Sequence, residues 1–233
     1  MPSAVAAPLA VRAVLFDLDG TLADTAGDLA AAVNRVRADR ALAPLPLAAL
    51  RPHASHGARG LLGAGLGIAR DSPDFEPVRD AFLGYYAHAL CEHTRLFAGA
   101  DIVLAEIERR RLRWGIVTNK AARFTLPLLE RLALASRAGA VICGDTTPQM
   151  KPHPAPLLAG AAALGIDAVE CVYVGDAERD VTAGQAAGMK TLIARYGYLR
   201  DEDAPDCWHA DGLIDSLPAL LEWLPAGETL RES

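Results

Sequence analysis

The stretch VLFDLDGTLADT, residues 14–25, joins an apolar run to two closely spaced aspartates and a glycine. Its apolar part, RAVLFD at 12–17, has the length and composition of a strand that is buried on both faces. Gly20 permits a sharp turn directly after this strand. Asp17 and Asp19 are two positions apart, so their side chains point to the same side of an extended chain. The stretch therefore predicts a buried strand that ends in a pair of carboxylates.

Four more short runs rich in Val, Ile and Leu follow the first one. They are RWGIVT at 113–118, GAVIC at 139–143, CVYVG at 171–175 and MKTLIA at 189–194. The stretches between the later runs have helical length and periodicity. Buried strands that alternate with helices predict a doubly wound, Rossmann-like α/β core with a parallel sheet.

The interval 18–112 between the first two predicted strands is too long for a single crossover helix. Three helical patterns lie inside it, one marked by Leu29, Val33 and Val36, one over 57–67 and one over 75–92. We therefore predict an inserted all-helical cap domain at residues 25–93. The α/β core then consists of residues 1–24 and 94–233, and a helix at 99–110 leads the chain back to the sheet.

Length and composition restrict the class of protein. The chain has 233 residues, of which 52% are hydrophobic, enough for a core domain with a smaller insertion. Its net charge of -6 argues against a nucleic-acid partner. No segment reaches the ~18 uninterrupted apolar residues of a membrane helix, and the N-terminal MPSAVAAPLAV lacks the basic region of a signal peptide. The four cysteines form no CxxC pair, which favours a reducing cytoplasm. We expect a cytoplasmic monomer or homodimer without a membrane partner.

The two aspartates after the first strand carry the first chemical signal. A carboxylate that attacks phosphorus forms an acyl phosphate, and a neighbouring carboxyl can give a proton to the leaving oxygen and later take one from water. An isolated pair with this spacing is more often a turn or a helix cap. The complete DLDGT after an apolar run is more specific, so Asp17 is the candidate nucleophile and Asp19 the candidate acid and base.

Polar groups also follow two later strands, where ligands of doubly wound sheets bind. Thr118 and the adjacent Asn119 end the second strand, where a hydroxyl and backbone N–H groups can hold phosphoryl oxygens. Lys151, in QMKPHPAP, can act as a point charge on both Asp17 and a phosphate. Taken singly, a strand-end threonine is an ordinary turn residue and a lysine is an ordinary surface residue. Only their place in the set makes them candidates for phosphate binding.

The segment VYVGDAERD places Asp176 and Asp180 after the fourth strand. They can share one face of the following helix, although a helix cap with a surface aspartate is the ordinary alternative. Mg²⁺ prefers oxygen ligands and often uses one or two carboxylates plus water and substrate phosphate. Asp17, Asp176 and a phosphate dianion carry about four negative charges, which Mg²⁺ and Lys151 offset with about three. We therefore expect Mg²⁺ as a cofactor.

These four motifs, in this order, resemble those of the haloacid dehalogenase-like hydrolase superfamily. The resemblance covers nearly the whole chain. The segments GIVTNKAARFTLPLLERL, CGDTTPQMKPHPAPLL and YVGDAERDVTAGQAAGM, together with the position of the cap, look like the phosphoglycolate phosphatase branch. The resemblance implies a phosphatase that works through an aspartyl phosphate.

Individual roles follow from the same resemblance. It implies a nucleophile at Asp17, a general acid and base at Asp19, and phosphate binding at Thr118 and Lys151. It implies Mg²⁺ ligands at Asp17, Asp176 and the backbone carbonyl of Asp19, with Asp180 beside them. Phosphatases and phosphomutases of the superfamily have an aspartate two residues after the nucleophile, which dehalogenase-like members lack. Asp19 therefore favours phosphoryl transfer.

The resemblance implies a small phosphorylated metabolite as substrate, with 2-phosphoglycolate as the first expectation. N-acetylmuramic acid 6-phosphate is the alternative, because similar enzymes of the same branch remove its phosphate. A sugar phosphomutase and a non-catalytic binding protein are the remaining alternatives. In the predicted cap, the glycine-rich SHGARGLLGAG at 55–65 can present Ser55, His56 and Arg59 to the core site, although a surface loop is equally ordinary.

Overall fold

A computed structural model describes residues 8–226, so the first and last seven residues of the predicted core lie outside it. Its strands are β1 (Ala13–Phe16), β2 (Ala23–Asp24), β3 (Arg95–Leu96), β4 (Arg113–Val117), β5 (Val141–Ile142), β6 (Cys171–Gly175), β7 (Lys190–Ala194) and β8 (Gly212–Ile214). Six of them form one parallel sheet in the order β5-β4-β1-β6-β7-β8. The first strand thus lies at the middle of the sheet.

Eight α-helices accompany these strands in the described part of the chain. They are α1 (Ala26–Asp39), α2 (Leu47–Leu50), α3 (Gly57–Leu66), α4 (Phe75–His88), α5 (Ala100–Arg109), α6 (Ala122–Arg131), α7 (Ala155–Leu164) and α8 (Glu178–Ala186). Short 3-10 helices lie at Arg51–His56, Ala168–Glu170, Pro205–Cys207 and Leu217–Glu222. None of the helices within residues 8–226 is long and apolar enough to span a bilayer.

Alternate side chains of β1 enter two separate apolar clusters, one on each face of the sheet. Val14 and Phe16 pack in the cluster that contains buried residues of α5 and α6. Ala13 and Leu15 pack in the cluster that contains buried residues of α7 and α8. Because both faces of the strand are covered, its sequence is apolar without interruption. The predicted doubly wound α/β core with a parallel sheet is confirmed.

A helical insertion lies between β2 and β3, which pair with each other in antiparallel orientation. It contains α1 to α4, and α1 packs against both α3 and α4. The predicted helix over 57–67 is observed at 57–66, whereas the one predicted over 75–92 ends at His88. The insertion therefore has the predicted all-helical content, and its division from the core as a cap domain at 25–93 stays a prediction.

Two parts of the sheet differ from the sequence-based expectation. The run GAVIC at 139–143 forms a strand only over Val141–Ile142, because β5 pairs on one side alone. The edge strand β8 was not predicted, since it has three residues between polar neighbours. It is held by packing instead: the Trp223 ring lies so close to Gly212 that a Cβ there would stand 2.2 Å from it.

Candidate active site

The carboxyl ends of the parallel strands meet in a single cavity. Asp17 directly follows β1, Thr118 follows β4, and Asp176 follows β6. These three residues line the same cavity, which has a volume of about 710 Å³. All three are at least 97% buried, which for the two aspartates is uncommon unless they have partners. The site therefore lies where doubly wound sheets bind their ligands.

Lys151 is the charge partner of two buried carboxylates. Its Nζ lies 3.0 Å from Asp17 Oδ1 and 2.8 Å from Asp180 Oδ1. The Lys151 side chain is 0% exposed. Its Nζ also donates to the Tyr173 hydroxyl at 2.6 Å and to the Val117 carbonyl at 3.1 Å. A buried ammonium needs this many acceptors, because burial without them would be very costly.

Asn119 holds the backbone of Lys151. Its Oδ1 accepts from the Lys151 N–H at 3.0 Å, and its Nδ2 donates to the Lys151 carbonyl at 2.9 Å. The amide side chain thus fixes the segment that carries the buried lysine. Phosphate binding by Asn119 stays a prediction, and the observed contacts give its side chain a positioning role. Thr118 accepts from the Lys120 N–H at 3.2 Å through its hydroxyl oxygen.

Asp19 is paired with a lysine that the sequence analysis did not single out. Lys120 Nζ lies 2.9 Å from Oδ1 and 3.2 Å from Oδ2 of Asp19. The Thr25 hydroxyl also donates to Asp19 Oδ1. Lys120 lies 4.6 Å from the centre of the Tyr86 ring, which belongs to α4 of the insertion. A cation between a core carboxylate and an aromatic ring of the insertion links the two regions beside the cavity.

Asp176 is held by donors from both regions. Its Oδ2 accepts from the Tyr198 N–H at 2.8 Å and from the Ser55 hydroxyl at 2.7 Å. Its Oδ1 is buried and has no hydrogen-bond partner among the described residues. Gly20 has φ +82°, and a Cβ at this position would stand 2.0 Å from Asp176 Oδ2. Both the turn and the close approach of the carboxylate therefore require glycine here.

The acidic groups have the chemistry of a divalent-cation site. Oxygens of Asp17, Asp176 and Asp180 lie within 4.8 Å of one another. Burial raises the pKa of Asp17, although the adjacent Lys151 acts in the opposite direction. Burial and the charges of Asp17 and Asp180 raise the pKa of Asp176 to about 7. A cation next to the orphaned Asp176 Oδ1 would stabilise the ionised carboxylates, so these residues fit Mg²⁺.

Asp180 is less free to bind a cation than the other two aspartates. Its Oδ1 is in contact with Lys151 Nζ, and its Oδ2 accepts from the Ala177 N–H at 3.1 Å. This ion pair is the contact of Oδ1, which has no hydrogen-bond partner among the described residues. A place for Asp180 beside the metal ligands stays a prediction.

The outer part of the cavity is rich in cations. Its basic lining residues are Arg59, Arg70, Lys120, Arg123, Arg179 and Arg200. Arg179 Nη2 lies 3.9 Å from Asp17 Oδ2, and Arg200 pairs with Asp203 at 2.7 Å. Arg59 and Arg70, both from the insertion, are exposed and form no ion pair with a described residue. Arg59 and Arg70 can therefore bind an anionic ligand, in a cavity that is also lined by the acidic residues Asp17, Asp19, Asp176, Glu178 and Asp203.

The three cap candidates lie at the cavity, but they face different groups. Ser55 contacts Asp176, whereas His56 and Arg59 line the cavity. The Nδ1 atom of His56 is buried without a hydrogen-bond partner among the described residues. Burial, together with the charges of Arg200 and Arg179, lowers the pKa of His56.

Residues at the site that the sequence analysis missed include Lys120, Tyr173 and Arg179. Arg179 stands between the two acids of GDAERD, and Lys120 directly follows Asn119 in VTNK, so both lay inside motifs already quoted. Their contacts with Asp17 and Asp19 required knowledge of how strand ends are arranged in space. Tyr173 carried no signal, because it reads as an ordinary apolar residue of a buried strand.

Comparison with known proteins identifies the family that this chain matches and several similar phosphatases. The family model described as haloacid dehalogenase-like hydrolase matches residues 14–194. An N-acetylmuramic acid 6-phosphate phosphatase from Pseudomonas aeruginosa is 41% identical over 214 residues, which cover 92% of this chain and 95% of that protein. A phosphoglycolate phosphatase from Xanthomonas campestris pv. campestris is 42% identical over 215 residues, which cover 92% and 96% respectively.

A solved structure shares the same fold. The crystal structure of a predicted phosphoglycolate phosphatase from Haemophilus somnus matches with a TM-score of 0.80 and 24% identity, covering 92% of this chain and 98% of that one. The chain therefore belongs to the haloacid dehalogenase-like hydrolase family, as the resemblance of its motifs predicted. Similar relatives carry names for two different phosphatase activities.

Proposed function

We propose that this protein is a Mg²⁺-dependent phosphatase that hydrolyses a small phosphate monoester through a phosphorylated Asp17. The observation that carries the proposal is the buried pair Asp17 and Asp176 at the carboxyl ends of the adjacent strands β1 and β6, with the buried Lys151 Nζ 3.0 Å from Asp17 Oδ1. An anionic nucleophile next to a fixed ammonium can be approached by a phosphate that it would otherwise repel. The family and the names of similar relatives support the same reaction class.

In the first half-reaction, Asp17 attacks phosphorus and forms a new O–P bond. The bond between phosphorus and the leaving oxygen breaks, and Asp19 in its protonated form gives a proton to that oxygen. Lys151 stabilises the charge on the transferring phosphoryl oxygens, and Thr118 supplies a further hydroxyl at the strand end. Arg179 approaches the same nucleophile from α8.

In the second half-reaction, water attacks phosphorus and the bond to Asp17 breaks. Asp19, now a carboxylate, takes the proton from this water, which restores both aspartates and releases inorganic phosphate. Asp17, Asp176 and the backbone carbonyl of Asp19 would hold the Mg²⁺ ion. When bound, the ion supplies positive charge to the phosphoryl oxygens.

The insertion at 25–93 acts in this proposal as a cap domain that selects the substrate. Its exposed Arg59 and Arg70 and its half-buried His56 form part of the cavity wall. Cations without an ion-pair partner at this wall suit a second anionic group on the substrate, such as a carboxylate. The buried core residues, in contrast, suit the phosphoryl group that every phosphate monoester shares.

Two substrates meet this requirement. The first is 2-phosphoglycolate, the expectation from sequence, which carries a carboxylate beside its phosphate. The second is N-acetylmuramic acid 6-phosphate, which also carries a carboxylate on a much larger sugar. A cavity of about 710 Å³ lies within the ~300–1,000 Å³ that is typical of small-molecule pockets, so its volume admits both candidates.

Phosphate release tests the proposal. The full chain is assayed with Mg²⁺ and with EDTA on both candidates and on a panel of sugar and nucleotide monophosphates. We expect release that requires Mg²⁺ and strongly prefers one carboxylate-bearing substrate. No release from any substrate would contradict hydrolysis, and isomerisation of a sugar phosphate without release would instead establish a phosphomutase.

The cellular location and the oligomeric state of the protein stay predictions. All four cysteines are free thiols in the described chain, which suits the expected reducing cytoplasm. The expectation of a monomer or homodimer is tested by light scattering of the purified chain.

A further inference from the structure

Ser55 connects the helical insertion to the acidic centre of the core. It lies in the 3-10 helix Arg51–His56, and its hydroxyl donates to Asp176 Oδ2 at 2.7 Å. The two residues are 121 positions apart in the chain. The contact falls on the carboxylate proposed above as a Mg²⁺ ligand.

The two oxygens of Asp176 have different surroundings. Oδ2 accepts two hydrogen bonds, one from Ser55 and one from the Tyr198 N–H at 2.8 Å. Oδ1 accepts none from the described residues, although it is fully buried. Two donors on one oxygen fix the plane of a carboxylate and leave the other oxygen for a cation. Only one of these two donors belongs to the core.

The 3-10 helix that carries Ser55 is anchored at its other end as well. Arg51 Nη1 donates to both oxygens of Asp24, at 2.8 and 2.7 Å. Its guanidinium also lies 5.0 Å from the centre of the Tyr198 ring. Tyr198 therefore contacts the helix through its ring and Asp176 through its backbone. This shared partner holds Ser55 at a defined distance from the carboxylate.

We propose that Ser55 is a positioning residue for the metal site, whose hydroxyl turns Asp176 so that Oδ1 faces the cation. This inference rests on the proposed function, because it requires Mg²⁺ at Asp176. It gives Ser55 a role in metal binding, whereas His56 and Arg59 remain candidates for substrate binding. It also couples two events: because the donor belongs to the insertion, Mg²⁺ binding and the packing of the insertion on the core favour each other.

The test uses the metal-free full chain, to which Mg²⁺ alone is added at increasing concentrations. Thermal unfolding is measured at each concentration, and the rise of the unfolding temperature gives the dissociation constant for Mg²⁺. For Ser55→Ala we expect binding weaker by about tenfold, the lower end for loss of a partner that orients a ligand. Ser55→Thr keeps the hydroxyl, and we expect its affinity to stay within about twofold of the wild type. Ser72→Ala is the matched control, since Ser72 is a serine of the same insertion that does not line the cavity.

The outcomes separate this inference from the proposed function. If the wild type binds no Mg²⁺, the proposed metal site itself is wrong. If the wild type binds Mg²⁺ and Ser55→Ala binds it equally well, the role of Ser55 is wrong while the proposed function stands. An equal loss in the Ala and Thr variants would show that shape matters instead of the hydroxyl, and would also overturn the inference. If the Ala variant does not fold, Ser55→Cys replaces it with the same expectation, because a thiol is a weak donor.

Discussion

The α/β core and the helical insertion contribute to the cavity in opposite ways. Core groups such as Asp17, Lys151 and Asp176 are almost completely buried, and each has fixed partners. Insertion groups such as Arg59 and Arg70 are exposed at the cavity wall and have no ion pair within the described residues. Buried, compensated charges keep a single geometry, whereas exposed charges can adapt to different ligands.

Under the proposed function, this difference gives the chemistry to the core and the choice of substrate to the insertion. A reaction that is common to all phosphate monoesters needs the same three groups in the same place. A preference for one monoester needs contacts with the part of the molecule that varies. Similar relatives carry two different phosphatase names at nearly equal identity, 41% and 42%, which fits such a division.

The strongest test of the core's part is Asp17→Asn. The amide cannot form the acyl phosphate, so phosphate release should fall by at least about 10⁴-fold, while the thermal unfolding curve stays cooperative. Asp71→Asn changes an exposed aspartate of the insertion and should keep full activity. Substantial turnover in the Asp17 variant would assign the nucleophile elsewhere.

The next largest effect is expected for Lys151→Met, which removes the cation between two buried carboxylates. Activity should fall by about 10²- to 10³-fold, because the phosphoryl oxygens lose a fixed charge. The free energy of unfolding should also fall by about 3–5 kcal/mol, since Asp17 and Asp180 are left without their shared partner.

Lys190→Met is the control for this prediction, because Lys190 is about half exposed and pairs with Asp211 at 2.7 Å. It should cost at most about 1 kcal/mol. Urea unfolding at neutral pH measures both variants. Equal, small losses of unfolding free energy in the two variants would mean that Lys151 does not stabilise the buried carboxylates Asp17 and Asp180.

A smaller and more selective effect is expected for Arg59→Ala in the insertion. For N-acetylmuramic acid 6-phosphate or 2-phosphoglycolate, whichever the wild type prefers, KM should rise about tenfold with little change in kcat. For p-nitrophenyl phosphate, which has no second anionic group, both constants should change by less than about twofold. Arg40→Ala is the matched control, an exposed arginine of the insertion outside the cavity. An equal loss of activity on all substrates would mean that Arg59 takes part in phosphoryl transfer itself. It would contradict the separation of roles between the core and the insertion.

The smallest effect is expected where the insertion returns to the core. The hydroxyl of the fully buried Thr94 donates to Asp28 Oδ2, so Thr94→Val should lower the free energy of unfolding by about 1.5 kcal/mol. Thr182→Val, on an exposed face of α8, should stay within about 0.5 kcal/mol of the wild type. A loss of activity without loss of stability would show instead that this junction controls catalysis.

The core could be predicted from sequence because its signals are local. A strand buried on both faces is apolar throughout, and the reactive residues follow strand ends directly, as Asp17 and Asp176 do. The parallel sheet then brings these ends together without further information. Three of the four α-helices of the insertion were predicted for the same reason, since their periodicity is a property of the local sequence, whereas the four-residue α2 is too short to show one.

The remaining features depend on contacts between distant parts of the chain. Ser55 and Asp176 meet across 121 positions, and Lys120 reaches Asp19 across 101. Neither pair has a periodicity that would reveal it. The edge strand β8 was missed because three residues are too few for a pattern, and its place is set by the packing of Trp223.

Covalent labelling tests the central claim, that the core carries the chemistry at Asp17, most directly. The wild type is mixed with its preferred substrate bearing a radiolabelled phosphate, quenched in acid within the first turnover, and digested for peptide mapping. The account predicts an acyl-phosphate label, stable in acid and lost in base, on the peptide that contains Asp17. A label on another residue, or rapid turnover with no label at any quench time, would contradict it.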